Sequence, residues 1–249
     1  MANWSDPHTT AAPYATAAGT RDSAAYDAGL RSYMLSVYNY MASGVLLSGI
    51  VALMFSWGGR ESIAYSVFSS GGPLVWLIIL SPLAIVLAMS FGQNKFSTPA
   101  LQGMFWSFTV LMGLSLSTLL LRYTGTSVAQ AFFAAAAGFA GLSLYGYTTK
   151  KDLSGMGSFL IVGLIGIIVA SIINIFTQSS TMSLIISIAG VLIFAGLTAY
   201  DTQRIKSMYQ YVAGTDMVGK AVIMSALTLY LDFINMFQFI LSIIGTSRD

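Results

Sequence analysis

Long apolar runs separated by short polar breaks make up most of the chain. Seven runs stand out: Tyr33–Trp57, Gly72–Phe91, a third from just after Ser97-Thr98-Pro99 to Leu121, Val128–Tyr147, Gly157–Phe176, Met182–Tyr200 and Val222–Ile244. Each has about twenty residues or more, which at about 1.5 Å per residue crosses roughly 30 Å of hydrocarbon as a helix. The runs are continuous rather than alternating, so they predict helices and not the strands of a closed barrel. The expected fold is an all-α membrane protein, a bundle of seven transmembrane helices. Pro82 inside the second run predicts a kink. Ser97 and Pro99 supply a capping hydroxyl and a first-turn proline at the start of the third.

Residues 1–30 have a different character: Ala, Ser, Thr, Asp and Gly with Pro7 and Pro13. Such a segment cannot bury a core, and it reads as a flexible cytoplasmic tail ahead of a membrane domain over residues 31–249. It does not read as a secretory signal, because its first basic residue is Arg21 and the apolar run that follows is too long. The connections between runs are too short for a folded soluble domain. Alanine and glycine crowd the fourth run, and Gly166 and Ala170 stand four residues apart in the fifth. Small residues let helix backbones approach where lipid supplies no hydrophobic drive for association.

Composition strengthens the membrane reading. Hydrophobic residues are 56% of the chain and charged residues 8%, whereas a soluble domain carries about 25% charge. The chain has no cysteine, which excludes disulfides and thiolate metal sites. Its one histidine, His8, lies in the tail, so no imidazole is available inside the membrane. The basic residues set the orientation. With the N-terminus inside, eight fall on the cytoplasmic side (Arg21, Arg31, Lys95, Lys150, Lys151, Arg204, Lys206, Lys220) and three outside (Arg60, Arg122, Arg248). That bias predicts a cytoplasmic N-terminus and an external C-terminus.

Of the acidic residues only Asp232 lies deep within a run. A carboxylate there costs about 2.5–3.5 kcal/mol even on the mildest insertion scale, so it must face the protein interior and have partners. Ser225, Thr228, Asp232, Asn235 and Ser242 share one helical face by three- and four-residue spacing. The seventh helix is therefore expected at the centre of the bundle. Asp201 ends the sixth run, with Thr198, Gly190, Ser187 and Ser183 behind it on roughly one face. Two polar stripes on consecutive helices suggest a hairpin enclosing both carboxyl groups. At a few ångströms' separation the two cannot both ionise freely. They can share a proton, or offer hard oxygen ligands to a cation such as Ca²⁺. The alternatives remain open: Asp201 as a boundary charge beside Arg204 and Lys206, and Asp232 as a purely structural hydrogen-bonding group.

The stretches Phe194-Ala195-Gly196-Leu197-Thr198-Ala199-Tyr200-Asp201-Thr202-Gln203-Arg204-Ile205 and Ala226-Leu227-Thr228-Leu229-Tyr230-Leu231-Asp232-Phe233-Ile234-Asn235 resemble the Bax inhibitor-1 family, bacterial branch. The resemblance covers roughly residue 25 to the end. It implies a seven-helix bundle with the last helix central, in the bacterial inner membrane. It also implies a pH-sensitive calcium leak in which Asp201 and Asp232 sense protons and Ca²⁺, with no cofactor. Some members are thought to tether an aspartate of the pair to a basic residue of an earlier helix. Here the second run has no Lys or Arg, and the nearest candidate for that latch is Lys95, with Gln93 and Asn94 as neutral substitutes.

Other readings compete less well. A retinal protein needs a lysine deep in the last helix, and Lys220 stands only at its entrance. An intramembrane aspartyl protease needs a Gly-Asp motif, whereas Asp232 sits in Leu231-Asp232-Phe233. Enzymatic activity is not expected, nor is a nucleic-acid partner. The stronger rival is a regulator that binds and moderates a membrane quality-control protease, the role resemblance implies for some relatives. Trp57 and Phe176 read as interface anchors or packing groups.

Overall fold

The computed structural model describes residues 14–248 and is helical almost throughout. The helices are α1 (Tyr14–Phe55), α2 (Ile63–Ser69), α3 (Pro73–Gly92), α4 (Thr98–Arg122), α5 (Gly125–Thr148), α6 (Ser154–Thr177), α7 (Ser180–Val212) and α8 (Val218–Ile244). Seven are long and apolar enough to span a membrane: α3 to α8, and α1 from Ala24. The short α2, which follows a 3₁₀ turn at Gly59–Glu61, is an element the apolar runs did not predict.

Local chemistry fixes where the helices start. The hydroxyls of Ser62, Ser97, Thr124 and Ser179 accept the N–H groups of Tyr65, Ala100, Ser127 and Met182. Each satisfies one of the backbone donors that a helix start leaves free. Asp152 does similar work ahead of α6, accepting the Ser154 N–H at 2.9 Å. Hydrogen bonds from Ser154 hold this exposed carboxyl below its ordinary range. Pro82 sits within α3, which continues past it.

α8 occupies the centre. It packs against α7, α1 and α5, and more lightly against α4, while α3 rests on α4 and α6 rests almost entirely on α7. The chain after α8 returns to the turn between α4 and α5, where Thr124 N–H donates to the Thr246 carbonyl and Arg248 N–H to the Arg122 carbonyl. Trp57 and Phe176 stand exposed at helix ends.

Two helix pairs touch backbone to backbone through glycine. A Cβ on Gly146 of α5 would overlap the Ala199 carbonyl of α7, and one on Gly113 of α4 would overlap the Ser48 carbonyl of α1. Gly166 behaves differently from its sequence reading: nothing lies within 4 Å of where its Cβ would be. In α6 the close contacts to α7 are instead made at Gly157, against Tyr200, and Gly163, against Ile193.

Two further expectations are corrected. From Tyr14 onward the segment read as a tail is the first part of α1; residues 1–13 lie outside the described part. The physical cause is alanine, the best helix former, with no proline between Tyr14 and Phe55. The sixth membrane helix does not stop at Tyr200 but runs on to Val212. The residues beyond Asp201 are polar enough to end an apolar run yet contain nothing that ends a helix.

These contacts predict that Gly146→Val destabilises the protein by about 1–3 kcal/mol, the usual cost of overpacking, while Gly166→Ala costs nothing and stabilises by up to about 1 kcal/mol. Thermal unfolding of both variants in one detergent measures the difference.

Candidate functional site

The long α7 sets the geometry of the site. Asp201 stands eleven positions before the end of α7 at Val212, and Asp232 fourteen positions after the start of α8 at Val218. The two antiparallel helices therefore carry the aspartates to the same level. Contacts along the hairpin follow the same register. The hydroxyls of Ser187 and Ser242 meet at 3.0 Å, and the ring of Phe239 lies over Gly190.

The carboxyl groups of Asp201 and Asp232 face each other closely enough to interact directly. Both residues are buried, at 7% and 4% exposure. Asp232 Oδ2 is enclosed yet receives no hydrogen bond from any donor group. Two carboxylates are both acceptors, so the contact is favourable only if a proton or a cation stands between them. The nearest fixed positive charge is Arg204, one turn further along α7, whose field acts on Asp201.

The polar residues around the pair are mostly committed elsewhere. Thr198, Thr228 and Asn235 each donate to a carbonyl of their own helix, at Phe194, Met224 and Leu231. The Ser225 hydroxyl meets that of Tyr33 in α1 at 3.2 Å. Beside the site, Ser143 of α5 links Tyr38 of α1, at 2.5 Å, to Thr202 of α7, at 3.0 Å. These neighbours hold α7 and α8 in place without neutralising the carboxyl groups.

Cavities approach the pair from two sides. One, of about 320 Å³, opens at the end where α7 turns into α8 and reaches Asp201, with Ser90, Gln93, Arg204, Lys220 and Ser225 in its walls. A second, of about 520 Å³, lies between α6, α7 and α8 and reaches Asp232. Thr228 borders both. Lys95 is exposed in the turn after α3 and takes no part in the cavity wall. The basic groups at the cavity are Arg204 and Lys220, and the Lys220 Nζ donates to the Gln93 carbonyl at 3.4 Å. Arg204 was legible as the cation three residues after Asp201. Tyr33, on the α1 face that repeats through Val37, Met41, Gly44 and Ser48, had periodicity as its only signal.

Residues 30–249 match the family profile described as inhibitor of apoptosis-promoting Bax1. The chain belongs to the Bax inhibitor-1 family. The match takes in all seven spans, including both aspartate motifs. Bacterial relatives of this family member are similar over nearly their full length. An uncharacterized protein of Rickettsia prowazekii is 47% identical over 90% of this chain and 93% of its own. A protein of Caulobacter vibrioides is 45% identical over 90% and 92%. The inner membrane protein YbhL of Escherichia coli K12 is 41% identical over 89% and 94%. Among the described residues no group of three or more His, Cys, Asp or Glu side chains gathers to hold a metal.

The contact between two acceptors predicts a stability test independent of transport. Asp232→Asn places an amide donor against the Asp201 carboxylate, and at pH 8 it should stabilise the protein by about 1.5–3 kcal/mol, the range for a hydrogen bond to a charged group. A proton does the same work in the wild type, so the difference should shrink as the pH falls towards 5. Thermal unfolding of the two proteins across that range measures it.

Proposed function

We propose that this Bax inhibitor-1 family protein is a pH-sensitive calcium leak channel, in which Asp201 and Asp232 form the proton- and Ca²⁺-sensing pair. The observation that carries the reading is the facing of two buried carboxyl groups with cavities on both sides and no donor supplied to Asp232 Oδ2. A protein interior ordinarily satisfies such a group. Here the missing partner is supplied by something that comes and goes, either a proton or a cation.

The chemistry of the pair supports Ca²⁺ as the ion. Carboxylate oxygens are hard ligands, and helix carbonyls, hydroxyls and water complete a flexible shell of six to eight. Proton and Ca²⁺ compete for the same oxygens, so occupancy by Ca²⁺ falls as pH falls. Arg204 and Lys220 are the charged groups facing the α7–α8 cavity, and Tyr33 faces it from α1 through Ser225. The two cations weaken cation retention at the pair. A leak needs such weak retention, because an ion held tightly is not released. Binding that favours one arrangement of α7 and α8 over another would shift the population of open bundles.

The orientation that the basic residues favour puts the N-terminus and the α7–α8 loop in the cytoplasm and the C-terminus outside. The likeness to an inner membrane protein of Escherichia coli supports placing this chain in a bacterial inner membrane.

Two measurements test the proposal. Ca²⁺ at ten times its Kd should add about 1.4 kcal/mol to folding stability at pH 8, less at pH 5, and nothing in Asp232→Asn. In dye-loaded liposomes, Ca²⁺ entry from pH 5 to 8 should vary with pH in the wild type and lose that variation in Asp201→Asn and Asp232→Asn. Entry no faster than into empty liposomes, with the protein folded, would sink the leak and leave the family member as a binding partner of a membrane quality-control protease.

A further inference from the structure

The cavity that reaches Asp232 does not end in the middle of the bundle. Ser171, Ile175, Asn235 and Phe239 border it, and the same four residues border a further cavity of about 380 Å³. That outer space is polar: Asn174 of α6, Ser187 of α7, and Gln238 and Ser242 of α8 line it, with Arg122 at its edge. It lies at the end of the molecule where α8 finishes and α6 joins α7. Asp232, Asn235, Gln238 and Ser242 therefore descend one face of α8 from the open end to the buried pair.

The wall opposite that face is α6. This helix is the most apolar of the seven spans and among the least buried, and it rests on α7 while barely touching α8. A helix so placed in lipid leaves Asn235, Gln238 and Ser242 of α8 partly or fully exposed. The interior does not satisfy the group at the bottom, since Asp232 Oδ2 receives no donor. A polar stripe in an apolar bundle, leading to a cavity that Asp232 borders, is the lining expected of a water-filled passage.

We infer that the space between α6 and α8 is a hydrated vestibule that admits small cations to Asp232 from the face of the membrane carrying the C-terminus. Its polar groups are Asn235, Gln238 and Ser242 on α8 with Ser171 and Asn174 on α6, set among the isoleucine, leucine and phenylalanine side chains that make up most of the inner wall. At the neck, Phe239 covers Gly190 and stacks on Phe194, their rings 6.0 Å apart. The vestibule gives the proposed leak its entrance on that face; its use by Ca²⁺ rests on the leak reading, whereas its hydration does not.

The absence of cysteine from the natural chain makes the test direct. Single cysteines are placed at Ser171, Asn235 and Gln238, with Ile188→Cys as the control. Ile188 lies at a similar depth on α7 and is 47% exposed on the outer surface of the bundle, where lipid covers it. A membrane-impermeant cationic thiosulfonate is added to intact vesicles from the C-terminal face, whose identity an epitope tag reports. The three vestibule cysteines should react at least about tenfold faster than Ile188→Cys, because only thiols in water ionise and meet the reagent. Reaction of Gln238→Cys should also slow Ca²⁺ entry severalfold.

Vestibule cysteines as slow as Ile188→Cys in folded protein would overturn the inference, as would reaction only from the opposite face. Gln238 and Ser171 are only part-buried, so at least these two variants should fold if Asn235→Cys does not. Fast labelling without any Ca²⁺ flux would uphold the vestibule and count against the leak alone.

Discussion

Two carboxyl groups have to be kept out of hydrocarbon, and the arrangement of the bundle follows from that requirement. A single aspartate near the bilayer centre costs about 2.5–3.5 kcal/mol or more if lipid surrounds it. The helix that carries Asp232 is accordingly the most enclosed of the seven spans, with α1, α5 and α7 packed around it. Enclosing α8 uses up the helices available. α3 and α6 are left at the margin with apolar surfaces on nearly every side, and each is held mainly by one neighbour, α4 or α7. The most constrained group in the protein thus sits beside the helices with the fewest constraints.

The α7–α8 hairpin turns this into a defined site. Its register is fixed by small residues and short side chains at several levels: Ser187 against Ser242, Gly190 beneath Phe239, and Asp201 against Asp232. A second set of contacts ties the hairpin to the rest of the bundle, with Gly146 against Ala199 and the hydroxyls of Tyr38, Ser143 and Thr202 in line. Interhelical hydrogen bonds in membranes average only about 0.6 kcal/mol. No one of them decides the structure; backbone contact at glycine, which permits no adjustment, contributes the precision.

Sequence reading reached the spans because lipid imposes a length and a composition on them, and both are visible residue by residue. It reached the two aspartates for the same reason, as charges that an apolar run cannot carry idly. It misread the segment between them. Gln203, Arg204, Lys206 and Gln210 lower the hydropathy after Asp201, but hydropathy reports where lipid ends and not where hydrogen bonding ends. Without the extension of α7 to Val212, the level of Asp201 relative to Asp232 could not be deduced. Lys95, the nearest basic residue to the second span in sequence, is exposed in the turn after α3, while the cavity beside Asp201 takes its cations from α7 and α8 themselves. The partnerships of Tyr33 with Ser225 and Tyr38 with Ser143 depend on how α1 and α5 are rotated about their axes, and no local pattern encodes that rotation.

Two polar clusters in the same core are satisfied in different ways. In the first, Ser48 donates to the Thr109 carbonyl at 2.7 Å and receives the Tyr230 hydroxyl at 2.6 Å. Every hydrogen finds an acceptor there, α1, α4 and α8 are joined, and nothing further is required. In the second, Thr198, Thr228 and Asn235 turn their donors back to their own helices, although Asp201 and Asp232 lie close by. A site designed by packing alone would have used those donors on the carboxyl groups, since a half-satisfied buried network is worse than an apolar core. Withholding them leaves the pair without a donor from the surrounding side chains, so packing does not account for the arrangement of these two residues.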